Sequence, residues 1–156
     1  MKTLFQYNWQ VRYDWFSWCK TISEEELLKA RVGGVGGILQ TLFHVVVVEY
    51  SWICDLTGHP DIEDKFERQV SLDQVVSLSR KLHPVVSDFV SNWTDTQERQ
   101  TVTVTVTGQA ETFRYGEVLR HVIAHEIHHI GQLSVWAREF GREPVTANLI
   151  RRGLFG

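Results

Sequence analysis

The sequence predicts an all-α fold: a four-helix bundle with long crossover connections and a small β-hairpin before the last long helix. Three observations carry this. Four long segments repeat apolar residues at a helical period. Glycine and proline punctuate the ends of those segments. One stretch, Thr101–Thr107, alternates valine and threonine strictly, which is a strand with one face covered.

In chain order, Leu4, Tyr7, Val11, Trp15, Trp18 and then Ile22 give a first helix from Leu4 to about Lys20, with an aromatic buried face. Ser23 followed by Glu26 reads as a capping box opening a short piece, Glu24 to Ala30. Gly33-Gly34-Val35-Gly36-Gly37 then reads as a flexible loop. It lacks the Lys-Ser/Thr ending that a phosphate-binding loop requires. The second long helix spans about Gly37 to Leu56 and stops at Thr57-Gly58-His59-Pro60. Its Val45–Val48 run has strand propensity, but the length of the apolar segment and its Gly/Pro bounds favour a helix. Ser71–Gln74 is a capping box for the third helix, whose stripe is Leu72, Val75, Leu82, Val86, Phe89 and Trp93. Pro84 is expected to kink it, and His83 beside that proline reads as surface or kink-related. Arg99–Thr107 and Glu111–Arg114 form the hairpin, which is too small to stand alone and must pack on the bundle or on another subunit. The last long helix runs from about Tyr115 to Phe140, and Ala147–Arg152 reads as a short helical tail. The long links, Thr57–Val70 and the one carrying the hairpin, permit crossover topology.

With 156 residues, 43% of them hydrophobic, the chain reads as one domain, 1–156, with a sizeable core. A net charge of -3 gives no electrostatic case for nucleic acid. The N-terminus has no apolar signal-peptide core, and the longest apolar run, Leu42–Val48, is too short for a membrane. Cys19 and Cys54 make no disulfide framework, so a cytoplasmic protein with buried free thiols is expected.

Four of the seven histidines lie in His121–His129. Histidines four apart on a helix share a face, a spacing that suits two imidazoles on one divalent metal. His121/His125 and His125/His129 both have it. The stripe Val118, Val122, His125, His129, Leu133, Trp136 and Phe140 selects the second pair, with His121 toward its edge. Gln132 and Trp136 read as packing residues, and Glu49 and Glu126 as solvated surface carboxylates that would otherwise support a ligand or transfer a proton.

Three features in order make the chain resemble the DinB family. They are Thr41-Leu42-Phe43-His44 followed by Glu49-Tyr50-Ser51-Trp52-Ile53, the entry Gly116-Glu117-Val118-Leu119-Arg120-His121, and His125-Glu126-Ile127-His128-His129-Ile130-Gly131-Gln132-Leu133. The last is similar to the family's HExxHxGQ signature. The resemblance covers nearly the whole chain. It implies a bundle whose core holds one divalent metal, zinc or nickel foremost, on His44, His125 and His129. His44 enters through the resemblance. It further implies a thiol S-transferase-type enzyme acting on a low-molecular-weight thiol and a small electrophile. From composition and charge no nucleic acid or membrane partner is expected, and the aromatic excess and lone ribbon are compatible with a homodimer interface. Two other readings compete. A non-catalytic, stress-associated metal-binding dimer would also use the aromatic excess and the ribbon. A zinc protease would use Glu126 of the HExxH pattern as its base, but Gln132 stands where the metzincin extension needs glycine.

Overall fold

The computed structural model describes residues 1–63, 66 and 70–155, and it is helical with one antiparallel hairpin. α1 (Lys2–Cys19) is followed by the short α2 (Glu24–Leu28), then α3 (Ile38–Thr57), α4 (Leu72–Ser91), a 3₁₀ turn at Asp95–Arg99, β1 (Thr101–Val106), β2 (Gln109–Arg114) and α5 (Tyr115–Glu139). α3 packs chiefly on α4 and α5, and α1 lies against the same two helices, so α1 and α3 face each other across the bundle. Consecutive long helices α1 and α3 are therefore not the closest neighbours, which is what the long connections allow. Part of the Thr57–Val70 link lies outside the described residues.

The buried faces are those the period dictates. Phe5, Val11, Trp15 and Cys19 of α1 meet Leu39, Leu42, Val46 and Ile53 of α3 and Leu119, Leu133 and Trp136 of α5 in one core. Val45 and Val46 are buried within an unbroken helix, so packing overrides the strand propensity of the valine run. Ser71 and Gln74 form the full reciprocal capping box. Ser23 accepts from the Glu26 amide, but the Glu26 carboxylate turns instead to Lys29 and Arg31, so only half of that box forms. α4 continues through Pro84 without a break.

Two expectations are corrected here. Ala147–Arg152 is irregular, with a turn at Ile150–Arg151, not a helix. The Arg152 side chain donates to the carbonyls of Asn148 and Thr146, groups a helix would use. Contacts to α1 hold it instead: Tyr7 donates to the Ala147 carbonyl at 2.6 Å and Arg152 pairs with Asp14 at 3.0 Å. His83 is not a surface residue. It is half-buried with its ring edge-on to Trp9, 4.5 Å between centroids, because its turn of α4 faces α1.

The hairpin pairs Thr101 with Arg114 through Val106 with Gln109. Val102 and Phe113 turn toward the bundle, Phe113 meeting Trp52 of α3 edge-on. The Tyr115 hydroxyl donates to the Leu56 carbonyl at 2.8 Å, tying the start of α5 to the end of α3. These contacts fix the register of α5 against α3, and that register positions the histidines.

Candidate metal centre

His44 sits on the second turn of α3, and His125 and His129 sit one turn apart on α5. The three rings converge: Nε2 of His125 lies 3.0 Å from Nε2 of His44 and 3.1 Å from Nε2 of His129. One nitrogen from each residue lies within 4.8 Å of the other two. Around a tetrahedral ion, imidazole nitrogens at about 2.0–2.1 Å from the metal stand roughly 3.3 Å apart, so the spacing fits a shared cation. Three lone-pair nitrogens brought this close repel one another unless a cation or proton lies between them, and the donor set is the one zinc-like ions accept.

The electrostatics agree with that donor role. Burial, then the charge on His129, lowers the pKa of His44. Burial lowers His125 furthest, to about 3, reinforced by its neighbours His129, His44, His121 and His128. Burial also lowers His129, opposed by its hydrogen bond to Gln132. All three imidazoles are thus held in the neutral, ligating form. His129 is buried while His44 and His125 are half-buried, so the cluster opens on one side. Exposed His121 lies beside His125, 5.9 Å between ring centroids, and stacks edge-on to Trp52. His125 is therefore not at the centre of the buried stripe. That stripe includes Val118, Val122, His129, Leu133 and Trp136, as the period predicts, together with Leu119, Glu126, Ile130 and Ala137, and His125 borders it.

Glu126 and Glu49 are the main revision. Neither is a solvated carboxylate; both are buried and held by Arg12 of α1. The Arg12 guanidinium grips Glu126 through Nε at 2.8 Å and Nη2 at 2.6 Å, and reaches Glu49 through Nη1 at 2.8 Å. Trp9 donates its indole N–H to the other Glu49 oxygen at 2.8 Å. Burial opposes the charge on Arg12, but the two carboxylates outweigh it and raise its pKa. Burial raises the Glu126 carboxyl against the pull of Arg12, and the charge on Glu49 adds to the rise. Both oxygens of Glu126 are engaged by Arg12, which leaves neither free for the general-base role of the HExxH protease reading. Sequence reasoning passed over Arg12. A charged residue between Asn8 and Trp15 on the buried face of α1 is the signal that could have found it, since such a charge needs a buried partner.

Gln132 is the second revision. It accepts from His129 Nδ1 at 2.7 Å and approaches His128 Nε2 through its amide nitrogen at 3.1 Å. Trp136 packs in the core as expected and donates its indole N–H to the Val32 carbonyl at 3.1 Å. That bond, with the Arg31 amide donating to the Gly36 carbonyl at 2.8 Å, pins a glycine loop that had read as flexible.

A family model described as the DinB family matches residues 1–152. The chain belongs to the DinB family. It is also 48% identical over 155 residues to the uncharacterized protein YizA of Bacillus subtilis (strain 168), covering 99% of this chain and 96% of that protein. In this DinB protein the fold brings together His44, from early in α3, with the two histidines of the HExxHxGQ stretch. The motif's glutamate faces the buried arginine and its glutamine faces a histidine. Among the described residues no helix is long and apolar enough to cross a membrane.

Proposed function

We propose that the chain binds one divalent metal ion through Nε2 of His44, His125 and His129 and works as a metal-dependent thiol S-transferase. The observation that carries this is the convergence of three neutral imidazole nitrogens in a cluster that stays open on one side. An ion held this way keeps its full +2 charge and a free coordination position, and it supplies acidification of a thiol or water bound there. In the reaction, sulfur from a low-molecular-weight thiol forms a bond to an electrophilic carbon. The bond from that carbon to its leaving group breaks, and the thiol proton passes to solvent. His121 lies beside His125 and stacks on Trp52, so a substrate approaching from that side would meet these two residues. Imidazole donors accept zinc, nickel, cobalt, copper or iron, and zinc or nickel is the ion of this proposal.

The test is the metal content of untagged protein purified without added metal, for wild type and for His44→Ala, His125→Ala and His129→Ala. About one equivalent in wild type, lost in every variant, is the expected result for a three-imidazole site. A wild type that is empty and takes up neither zinc nor nickel overturns the reading. Loaded protein that turns over no thiol–electrophile pair, where metal content is nonetheless stoichiometric, leaves the non-catalytic metal-binding protein as the function.

A further inference from the structure

We infer that Gln132 is a positioning residue for this site: it locks His129 in the tautomer that leaves Nε2 free to ligate, and Gly34 of the glycine loop keeps Gln132 in place. The inference rests on the metal-binding reading above and goes beyond it to how the ligand is prepared.

The chemistry is directional. An amide oxygen only accepts hydrogen bonds, so the 2.7 Å contact from Gln132 Oε1 puts the single proton of neutral His129 on Nδ1. Nε2 is then a bare lone pair, and it is the atom facing His125 Nε2 at 3.1 Å. The other end of the amide donates to His128 Nε2 at 3.1 Å, so both ends of Gln132 are engaged by a histidine. Rotating the amide by half a turn would present an N–H to His129 Nδ1, move the imidazole proton to Nε2 and disarm the ligand. Among the described residues, His129 is the member of the trio whose second ring nitrogen has a hydrogen-bond partner.

The loop shapes the space around that amide. A Cβ on Gly34 would come within 2.7 Å of Gln132 Oε1, 3.2 Å of its Cδ and 3.1 Å of the Trp136 ring. Gly33, next to it, has nearly the same backbone, φ +81° against +83°, yet a Cβ there meets nothing within 4 Å. The backbone therefore passes Gln132 closely enough to shield its bond to His129, and the Trp136–Val32 bond holds it there. The two glycines form a matched pair, alike in strain and different in what a methyl group would touch.

The experiment compares Gln132→Leu, Gln132→Glu, Gly34→Ala and Gly33→Ala by zinc affinity, measured in competition with a chelator. The His129 tautomer is read from ¹⁵N shifts of the metal-free protein. In metal-free wild type, His129 is expected to carry its proton on Nδ1. Gln132→Leu should lose that preference and bind zinc about 10- to 100-fold more weakly, as loss of an outer hydrogen bond to a ligand does. Its helical circular dichroism should be unchanged. Gln132→Glu, which still accepts from Nδ1, should keep affinity close to wild type. Gly34→Ala should weaken zinc in the direction of Gln132→Leu, and Gly33→Ala should weaken it less. A proton on Nε2 in metal-free wild type, or Gln132→Leu binding zinc like wild type, overturns the role of Gln132. Equal losses in the two glycine variants overturn that of Gly34. A wild type that binds no zinc sinks the metal reading instead, while the tautomer measurement still decides what Gln132 does.

Discussion

His125 lies between two other imidazoles, and its surroundings hold its pKa at about 3, where an unfolded chain gives about 6.5. Burial is the first cause, repulsion from the neighbouring histidines the second. The sign of the consequence follows from proton counting. The unfolded state takes up a proton that the folded, metal-free state refuses. Stability is therefore fully present above about pH 6.5 and is lost as pH falls from there toward the folded value. His44 and His129 shift in the same direction and steepen the loss. Urea midpoints of the chelator-treated protein should decline as pH is lowered from about 7 to about 5. The decline should be shallower in His125→Ala, which removes the most strongly shifted of the three. A midpoint that does not change over that range, or a variant as steep as wild type, would contradict this account of the cluster. This residue-level detail was only partly legible in the sequence. The i, i+4 spacing on a helix brings His125 and His129 to one face, but nothing in a linear pattern sets how closely their nitrogens approach a third ring from another helix.

At the scale of elements, the hairpin is where the sequence was clearest, and its turn carries backbone strain. The strict Thr-Val alternation placed the first strand, and the observed β1 begins at Thr101 within the expected stretch. Its turn is made by Thr107 at φ +49° and Gly108 at φ +85°. Two successive left-handed residues match the twist of a two-residue hairpin, a place that favours Asn-Gly and penalises a β-branched residue. Thr107→Asn should relieve about 1 kcal/mol of that cost. The gain should be visible as slower hydrogen exchange of the amides paired between β1 and β2, with the metal site unaltered. Unchanged or faster exchange would show that Thr107 is not strained in the turn. The helices α3, α4 and α5 were legible to within a residue or two because period and punctuation agree. The C-terminal turn was not, because its conformation is decided by Arg152 and Tyr7 reaching across to distant partners.

At the scale of the whole molecule, one buried cation ties three helices together. Arg12 from α1, Glu49 from α3 and Glu126 from α5 meet in the buried interior of the bundle. Removing one member of a buried ionic cluster costs far more than its net contribution, because the others are left buried without their counter-charge. Arg12→Met leaves two carboxylates buried without their cation and should lower unfolding stability by about 3–5 kcal/mol in denaturant titrations. Glu126→Gln preserves the shape and one acceptor, so it should cost less and leave the metal content of the protein unchanged. Loss of metal in Glu126→Gln, with the fold intact, would mean that the glutamate acts on the histidines after all.

What the sequence by itself determined was the period of each helix, the caps and stops, the hairpin, and the face shared by His125 and His129. All of these depend on residues within a few positions of one another, where backbone geometry fixes direction. What only the tertiary structure decided was the convergence of His44 onto that pair, the pairing of Glu49 and Glu126 with Arg12, and the turn of Gln132 toward His129 under the glycine loop. Each joins groups set on different helices, on a loop, or on alternative rotamers. Their distances come from how the helices pack and rotate against one another, which helical period constrains to a face but not to an atom.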